Sequence, residues 1–358
     1  MDELIVNVLD LFAGAGGLTA GFHDASRRFR TVRAVESDPA AAASYDQTFG
    51  EHLTFVGTIQ DWLRTETVPT NVDVIVGGPP CQGFSTLGKQ DEEDARNSLW
   101  RQYASTILRA QPKYFVLENV AAFINSQQFR EFQDLTFPGR TLHDYDFDFR
   151  VLNSADFGAF QSRKRAVLVG RHRDLASPGF PVATHDRSTY RTVRQAFKGI
   201  PWETIETDLP PNRTITSGNK SFAGSFSPVE LHLGRNYAPI SLQRFSAIPI
   251  GGNRFDLPDA LKADCWKKHL SGSGDVMGRL HWTKPSVTIR TEFFKPEKGR
   301  YLHPEAMRAI THYEAAVLQG FPATHRFVGS KTAIAKQIGN AVPIPLGNAI
   351  AKQLLRFL

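Results

Sequence analysis

Two cysteines, Cys81 and Cys265, are all that 358 residues contain. That is too few for a disulfide framework and suits a reducing compartment. Apolar runs are short, and none approaches the roughly 18 residues that span a bilayer. The opening stretch MDELIVNVLDLF has neither the basic n-region nor the cleavage site of a secretory signal. These absences predict a soluble cytoplasmic protein with no membrane partner. Without a secretory signal, the glycosylation acceptor Asn212-Arg213-Thr214 carries no meaning. Internal repeats and long low-complexity tracts are also lacking, which argues against solenoids and disordered arrays.

What is present is an ordinary globular composition, 41% apolar. The chain is long enough for one large domain and a smaller one. The net charge of +6 is unevenly placed. Residues 1–184 hold 18 Lys and Arg against 23 Asp and Glu, and residues 185–358 hold 24 against 13. A front half of −5 is therefore joined to a back half of +11. A basic half with interspersed aromatics fits a polyanionic partner.

The first 170 residues alternate short apolar strands with helical stretches. LIVNVLDLF, TVRAVESD, LTFVGTI, VDVIVGG and KYFVLENV read as strands. GLTAGFHDAS, PAAAASYDQTF (with Pro39 in its first turn) and NSLWRQYASTILRA read as helices. FDFRVLNSADFG and KRAVLVGRH read as a last strand pair. This rhythm predicts an α/β fold with a doubly wound, mostly parallel sheet of Rossmann-like type. Ligands of such sheets sit beyond the carboxyl ends of the strands, where Asp10, Glu36, Cys81 and Glu118 fall. From about Arg187 the texture turns to Pro, Gly, Ser, Thr and Asn without a clear period, which predicts a second, smaller, irregular domain. LGNAIAKQLLRFL near the end is an amphipathic helix suited to return to the first sheet. The expected division is 1–185 with 301–358, and 186–300.

Three segments carry chemistry. In DLFAGAGGLTAGF, residues 10–22, Gly14, Gly16 and Gly17 let backbone approach a ligand at a helix N-terminus. Glu36 follows at the end of the next strand, where an acidic side chain accepts from ribose hydroxyls. In DVIVGGPPCQGFSTLGKQ, residues 73–90, a thiol stands at a strand mouth behind Pro79 and Pro80, which fix two φ angles and offer no donors. A lone cysteine is commonly a small buried hydrophobe, but one held outside the apolar run is a candidate nucleophile.

The glycine spacing is not the G-x-G-x-x-G of nicotinamide enzymes. DLFAGAGGLTAGF resembles the methyl-donor loop of the cytosine-C5 DNA methyltransferases, and the likeness continues in order along the chain. VESDP resembles that family's ribose step, GGPPCQGFS its nucleophile motif, and DARNSLW the motif after it. FVLENV resembles its glutamate motif and QSRKRAVLVG its Q-x-R-x-R motif. RLHWTKPSVTIRTEFF resembles the support of the recognition domain, and QIGNAVPIPLGNAIA the closing motif. The resemblance covers the chain except roughly 172–250.

The resemblance implies S-adenosylmethionine as methyl donor, S-adenosylhomocysteine as product, no metal, and double-stranded DNA as partner of a monomer. It implies catalysis by Cys81, Glu118, Arg163 and Arg165. Carbon 5 of cytosine becomes nucleophilic once a thiolate adds to C6, and a carboxylic acid that protonates N3 eases the addition. Arg163 and Arg165, at i and i+2, would share a strand face and contact O2. The donor would be held by Phe12, Ala13, Gly14, Gly16, Gly17, Leu18, Glu36, Ser37, Thr58, Ile59, Pro79, Leu99, Asn340, Ala341 and Val342. A base inside a duplex must flip out, and residues 82–100 would close over it. Leu87 near that loop's tip is either a wedge in the vacated stack or an anchor onto protein. Gln82, Ser85 and Gln161 would also touch DNA, and Arg213, Arg235 and Arg244 in the unmatched region are candidates for reading bases.

One departure stands out. Where the family reads Gly-Asp-Ile after the third strand, this chain reads Gly57-Thr58-Ile59, with Asp61 close by. Either Thr58 or Asp61 would meet the donor's adenine, and the matching position favours Thr58. The expected activity is sequence-specific DNA cytosine-C5 methylation by a compact bacterial-type enzyme of a restriction-modification system. The same chemistry on tRNA and a catalytically silent DNA-binding homologue are the alternatives. The silent homologue is disfavoured because Cys81, Glu118 and the glycine loop are all present.

Overall fold

The computed structural model describes residues 4–80, 99–268 and 273–358. Cys81, Gln82, Ser85 and Leu87 lie outside these described residues.

The strands are β1 (Val6–Leu11), β2 (Phe29–Glu36), β3 (Thr54–Val56), β4 (Val74–Gly77), β5 (Tyr114–Val120), β6 (Tyr145–Asn153), β7 (Lys164–His172), β8 (Thr214–Ser217) and β9 (Lys220–Ala223). The helices are α1 (Gly17–Ala25), α2 (Pro39–Phe49), α3 (Ile59–Thr65), α4 (Leu99–Ala110), α5 (Gln127–Asp134), α6 (Val193–Ala196), α7 (Pro239–Ala247), α8 (Asp264–Lys268), α9 (His312–Gln319), α10 (Lys331–Asn340) and α11 (Ile344–Leu354).

One sheet runs β3-β2-β1-β4-β5-β7-β6. Its first five members pair in parallel, and β7 is antiparallel to both β5 and β6. Side chains alternate across the central strands. Val74, Val76, Val116 and Val167 face α1 and α11, whereas Ile75, Phe115, Leu117 and Leu168 face α3, α4 and α5. Both faces are covered, so the inner strands read as nearly continuous apolar runs. The last helix does return to this sheet. At Gly21 of α1 a Cβ would lie 2.7 Å from the Asn348 nitrogen of α11, so the two helices meet backbone to backbone.

One expectation changes. LTFVGTI is not one strand: β3 stops at Val56, because the Thr58 hydroxyl accepts from Asp61 N at 3.1 Å and starts α3 there.

The segment beyond Arg187 is irregular, as expected, with the β8–β9 hairpin and short helical turns. It is not built around a core of its own alone. Phe197, Phe226, Trp282, Phe293 and Tyr301 pack in one cluster with Leu318 of α9 and Ile334 and Ile338 of α10. No helix among the described residues is long and apolar enough to cross a membrane.

Candidate active site

The chain moves outward from β1 to β2 and β3, then resumes on the other side of β1 with β4. The carboxyl ends of β1 and β4, where Leu11 pairs with Gly77, therefore flank the point at which the winding reverses. A cavity of about 470 Å³ opens there. Its walls include Phe12, Ala13, Gly14, Gly17 and Leu18 from the β1–α1 turn, Glu36 and Ser37 after β2, and Pro79 and Pro80 after β4. Glu118 of β5, Arg163, Arg165 of β7, and Asn340, Ala341 and Val342 at the end of α10 complete them. Residues from six separate motifs thus converge on one hollow.

The glycine turn fits a cofactor rather than a side chain. Gly14 has φ +55°, and a Cβ built on it meets nothing within 4 Å, because it would project into the open cavity. Phe12 beside it also holds a positive φ, 56°, which is uncommon for a bulky residue and marks a constrained site. Glu36 is fixed by backbone donors, Gly14 N–H at 2.8 Å and Asp38 N–H at 2.7 Å. Burial raises its pKa, those two donors oppose the rise, and the Asp38 charge adds to it. Behind the turn, buried Asp10 accepts from the Thr19 hydroxyl at 2.6 Å. Burial pushes the Asp10 carboxyl up to about 7, with the Thr19 bond opposing and the Glu36 charge adding. An adenosyl ligand with ribose hydroxyls for Glu36 and a cationic sulfur near these carboxylates suits this donor set.

On the other side, the Arg165 Nε stands 2.7 Å from Glu118 Oε1. The carboxylate reaches the cavity because residue 78 has no side chain: a Cβ there would sit 2.9 Å from Glu118 Oε2. Asn119 Nδ2 donates to the Pro79 carbonyl at 3.0 Å, which ties the end of β5 to the diproline.

Arg163 lines the same cavity as Arg165 but takes different partners. It precedes β7 and is buried, donating to the carbonyls of Ile289 at 2.7 Å and Gly339 at 3.0 Å. Burial, and next the Arg165 charge, lower its pKa to about 9. The geometry makes Arg163 a clamp between β7 and α10 that lines the cavity wall.

Several other expected residues stand elsewhere. Gln161 is corrected from a DNA contact to a structural one. It is wholly buried, its carbonyl accepts from Ile289 N at 3.1 Å, and its amide donates to Gln319. Gly16 is outside the wall because it packs under the ring of Phe49. Thr58 and Ile59 are also outside it. The Thr58 hydroxyl donates to Asp61 Oδ2 at 2.7 Å, and Asp61 Oδ1 accepts from Arg64 at 2.7 Å, so both candidates for the adenine are tied into the first turn of α3. Leu99 packs against the core beneath α4. Arg213 pairs with Glu230, and Arg244 donates to the Leu261 carbonyl at 2.7 Å while lying over Trp266. Arg235 reaches the Phe294 carbonyl at 3.4 Å and stays exposed.

Sequence reasoning missed Asn119, Lys336 and Gln337, which also line the cavity. Lys336 lies one helical turn before Asn340, a spacing that would have found it. No cluster of potential metal ligands occurs among the described residues.

The family model for C-5 cytosine-specific DNA methylase matches residues 6–356. The Type II methyltransferase M1.HphI of Haemophilus parahaemolyticus is 34% identical over 355 residues, 97% of this chain and 86% of that protein. The Type II methylase M.HgiDII of Herpetosiphon aurantiacus is 31% identical, over 98% of this chain and 95% of that protein. Among solved structures, one described as a DNA modification methyltransferase encoded within a prophage of E. coli superposes with a TM-score of 0.71. It is 25% identical and matches 98% of this chain and 99% of that one.

Proposed function

The chain belongs to the C-5 cytosine-specific DNA methylase family, and on that footing we propose that it methylates C5 of a flipped-out cytosine at a specific site in double-stranded DNA through a covalent Cys81–C6 adduct. The observation that carries the reading is one cavity walled both by the glycine turn with Glu36 and by the Arg165–Glu118 pair. A donor pocket thereby adjoins an acid held in place by a cation.

In this reading the Cys81 thiolate adds to C6 as Glu118 gives a proton to N3, and the resulting enamine makes C5 nucleophilic. S-adenosylmethionine, when bound, supplies an electrophilic methyl group and becomes S-adenosylhomocysteine. The C5 proton then leaves to a base, the Cys81–C6 bond breaks, and the N3 proton returns to Glu118. Arg165 orients Glu118 and balances charge beside the ring. Phe12, Leu18, Pro79, Ala341 and Val342 supply apolar walls for the donor, and Glu36 takes its ribose hydroxyls.

Residues 1–185 with 301–358 form the catalytic part, and 186–300 the target-recognition part. The basic back half supports DNA backbone contact. The enzyme acts as a monomer of a restriction-modification system. The test is to methylate a sequence-diverse plasmid and, in parallel, total tRNA with labelled donor, then read the plasmid by bisulfite sequencing. Protection of cytosines in one short sequence, with tRNA unlabelled, is expected; labelled tRNA and unmodified DNA would overturn the reading.

A further inference from the structure

We propose that Lys336 binds the carboxylate of the methyl donor, an inference that rests on reading the cavity as a donor pocket. Three cations line the cavity among the described residues. Arg165 is paired with Glu118, and Arg163 is committed to two main-chain carbonyls. Lys336 is exposed and makes no hydrogen bond or ion pair with any described residue.

The carboxylates of the same walls already have partners. Glu36 accepts from Gly14 and Asp38, Asp38 caps α2 through Ala40 N and Ala41 N, Asp10 accepts from Thr19, and Glu118 pairs with Arg165. The one cation of these walls that has no hydrogen-bond or ion-pair partner among the described residues is the Lys336 ammonium, which suits an anionic ligand group. S-adenosylmethionine and S-adenosylhomocysteine each carry one, the α-carboxylate.

Placement agrees. Lys336 is four residues before Asn340 on α10 and so shares its face. The end of that helix closes the cavity beside the glycine turn, where a Cβ on Gly17 would lie 2.9 Å from Ala341 Cβ. Gln337 pins the helix, donating to the Val328 carbonyl at 2.9 Å and accepting from Ser44 of α2 at 2.8 Å. The backbone under Lys336 is thus held while its long side chain stays free to swing over the ligand.

Calorimetry with two ligands tests this. One is S-adenosylhomocysteine; the other keeps its adenosine, sulfur and amine but lacks the carboxylate. Lys336→Met keeps the apolar stem and removes the charge. It should weaken S-adenosylhomocysteine binding about two- to fivefold, the size of an exposed ion pair, and leave the decarboxylated analogue unchanged. Lys336→Arg should restore much of the affinity, and all variants should share the wild-type melting temperature. Equal losses for both ligands would overturn the inference. So would unchanged S-adenosylhomocysteine binding with a shallower salt dependence of DNA binding, which marks a phosphate contact instead. Failure of the wild type to bind either ligand would sink the donor-pocket reading itself, a result distinct from the other two.

Discussion

Arg165 Nε and Glu118 Oε1 stand 2.7 Å apart, with both side chains mostly buried at the end of β5. This pair fixes the carboxyl group on the cavity wall, where the proposed mechanism uses it as the acid for N3, and Gly78 leaves room for it. Glu118→Gln preserves the shape and removes the acid. Single-turnover rates should fall by about 10²–10⁴, as expected of a general acid, with DNA affinity little changed. A near-normal rate would reassign Glu118 to a structural role.

Covalent capture tests Cys81. In duplex DNA carrying 5-fluorocytosine, methylation proceeds but fluorine cannot leave as a cation, so the adduct persists. A complex that survives denaturation should form only with the methyl donor present. Cys81→Ser should abolish it, whereas Cys265→Ser, at an exposed site on α8, should not. Capture that survives loss of Cys81 is the contrary result.

Gln161 separates stability from recognition. Gln161→Leu leaves Ile289 N–H and the Gln319 Oε1 without partners in a buried setting. Each orphaned group costs about 1–3 kcal/mol, which a urea midpoint would register. The methylated DNA sequence should not change; an altered sequence at unchanged stability would return Gln161 to the DNA interface.

Thr58 should behave as a helix cap. Thr58→Ala removes the bond to Asp61 N and should cost about 1 kcal/mol of stability. Donor affinity by calorimetry should stay at the wild-type value, and Thr58→Asp, which keeps a cap, should not raise it. Clear tightening in Thr58→Asp would place the residue against the adenine after all.

His325 governs part of the acid sensitivity. It is fully buried among Phe49, Phe321 and Phe327, and neither ring nitrogen has a partner among the described residues. Burial lowers its pKa to about 3. The unfolded chain takes up that proton near pH 6.5, so the contribution is complete above this pH and is lost as pH falls toward 3. His325→Phe should therefore gain on the wild type by up to about 1.4 kcal/mol per pH unit below 6.5. Parallel stability curves for the two proteins between pH 4 and 8 would contradict this assignment.

Much of this molecule was legible in its residues. The alternation of apolar runs with helical stretches set the sheet and its order of elements, because local periodicity reports which face of each element is buried. The glycine turn, Glu36, Glu118 and the Asn340–Val342 closing segment were named from motif order and do meet in one cavity. Residues whose neighbours are distant in sequence were not so readable. Arg163 and Arg165 look equivalent at i and i+2. Only the antiparallel pairing of β7 with β5, which sets Val120 opposite Arg165, brings one to Glu118, while the packing of α10 draws the other to Gly339. Gln161 looks like a polar reader of DNA, and burial at the junction of three chain segments makes it a strut. Thr58 sits in a ligand position by motif count, yet a local cap bond turns its hydroxyl into α3. A side chain's identity says what it can bond to; which partner it meets is decided by strand direction, helix packing and the need to satisfy buried polar groups, and those exist only once the chain has folded.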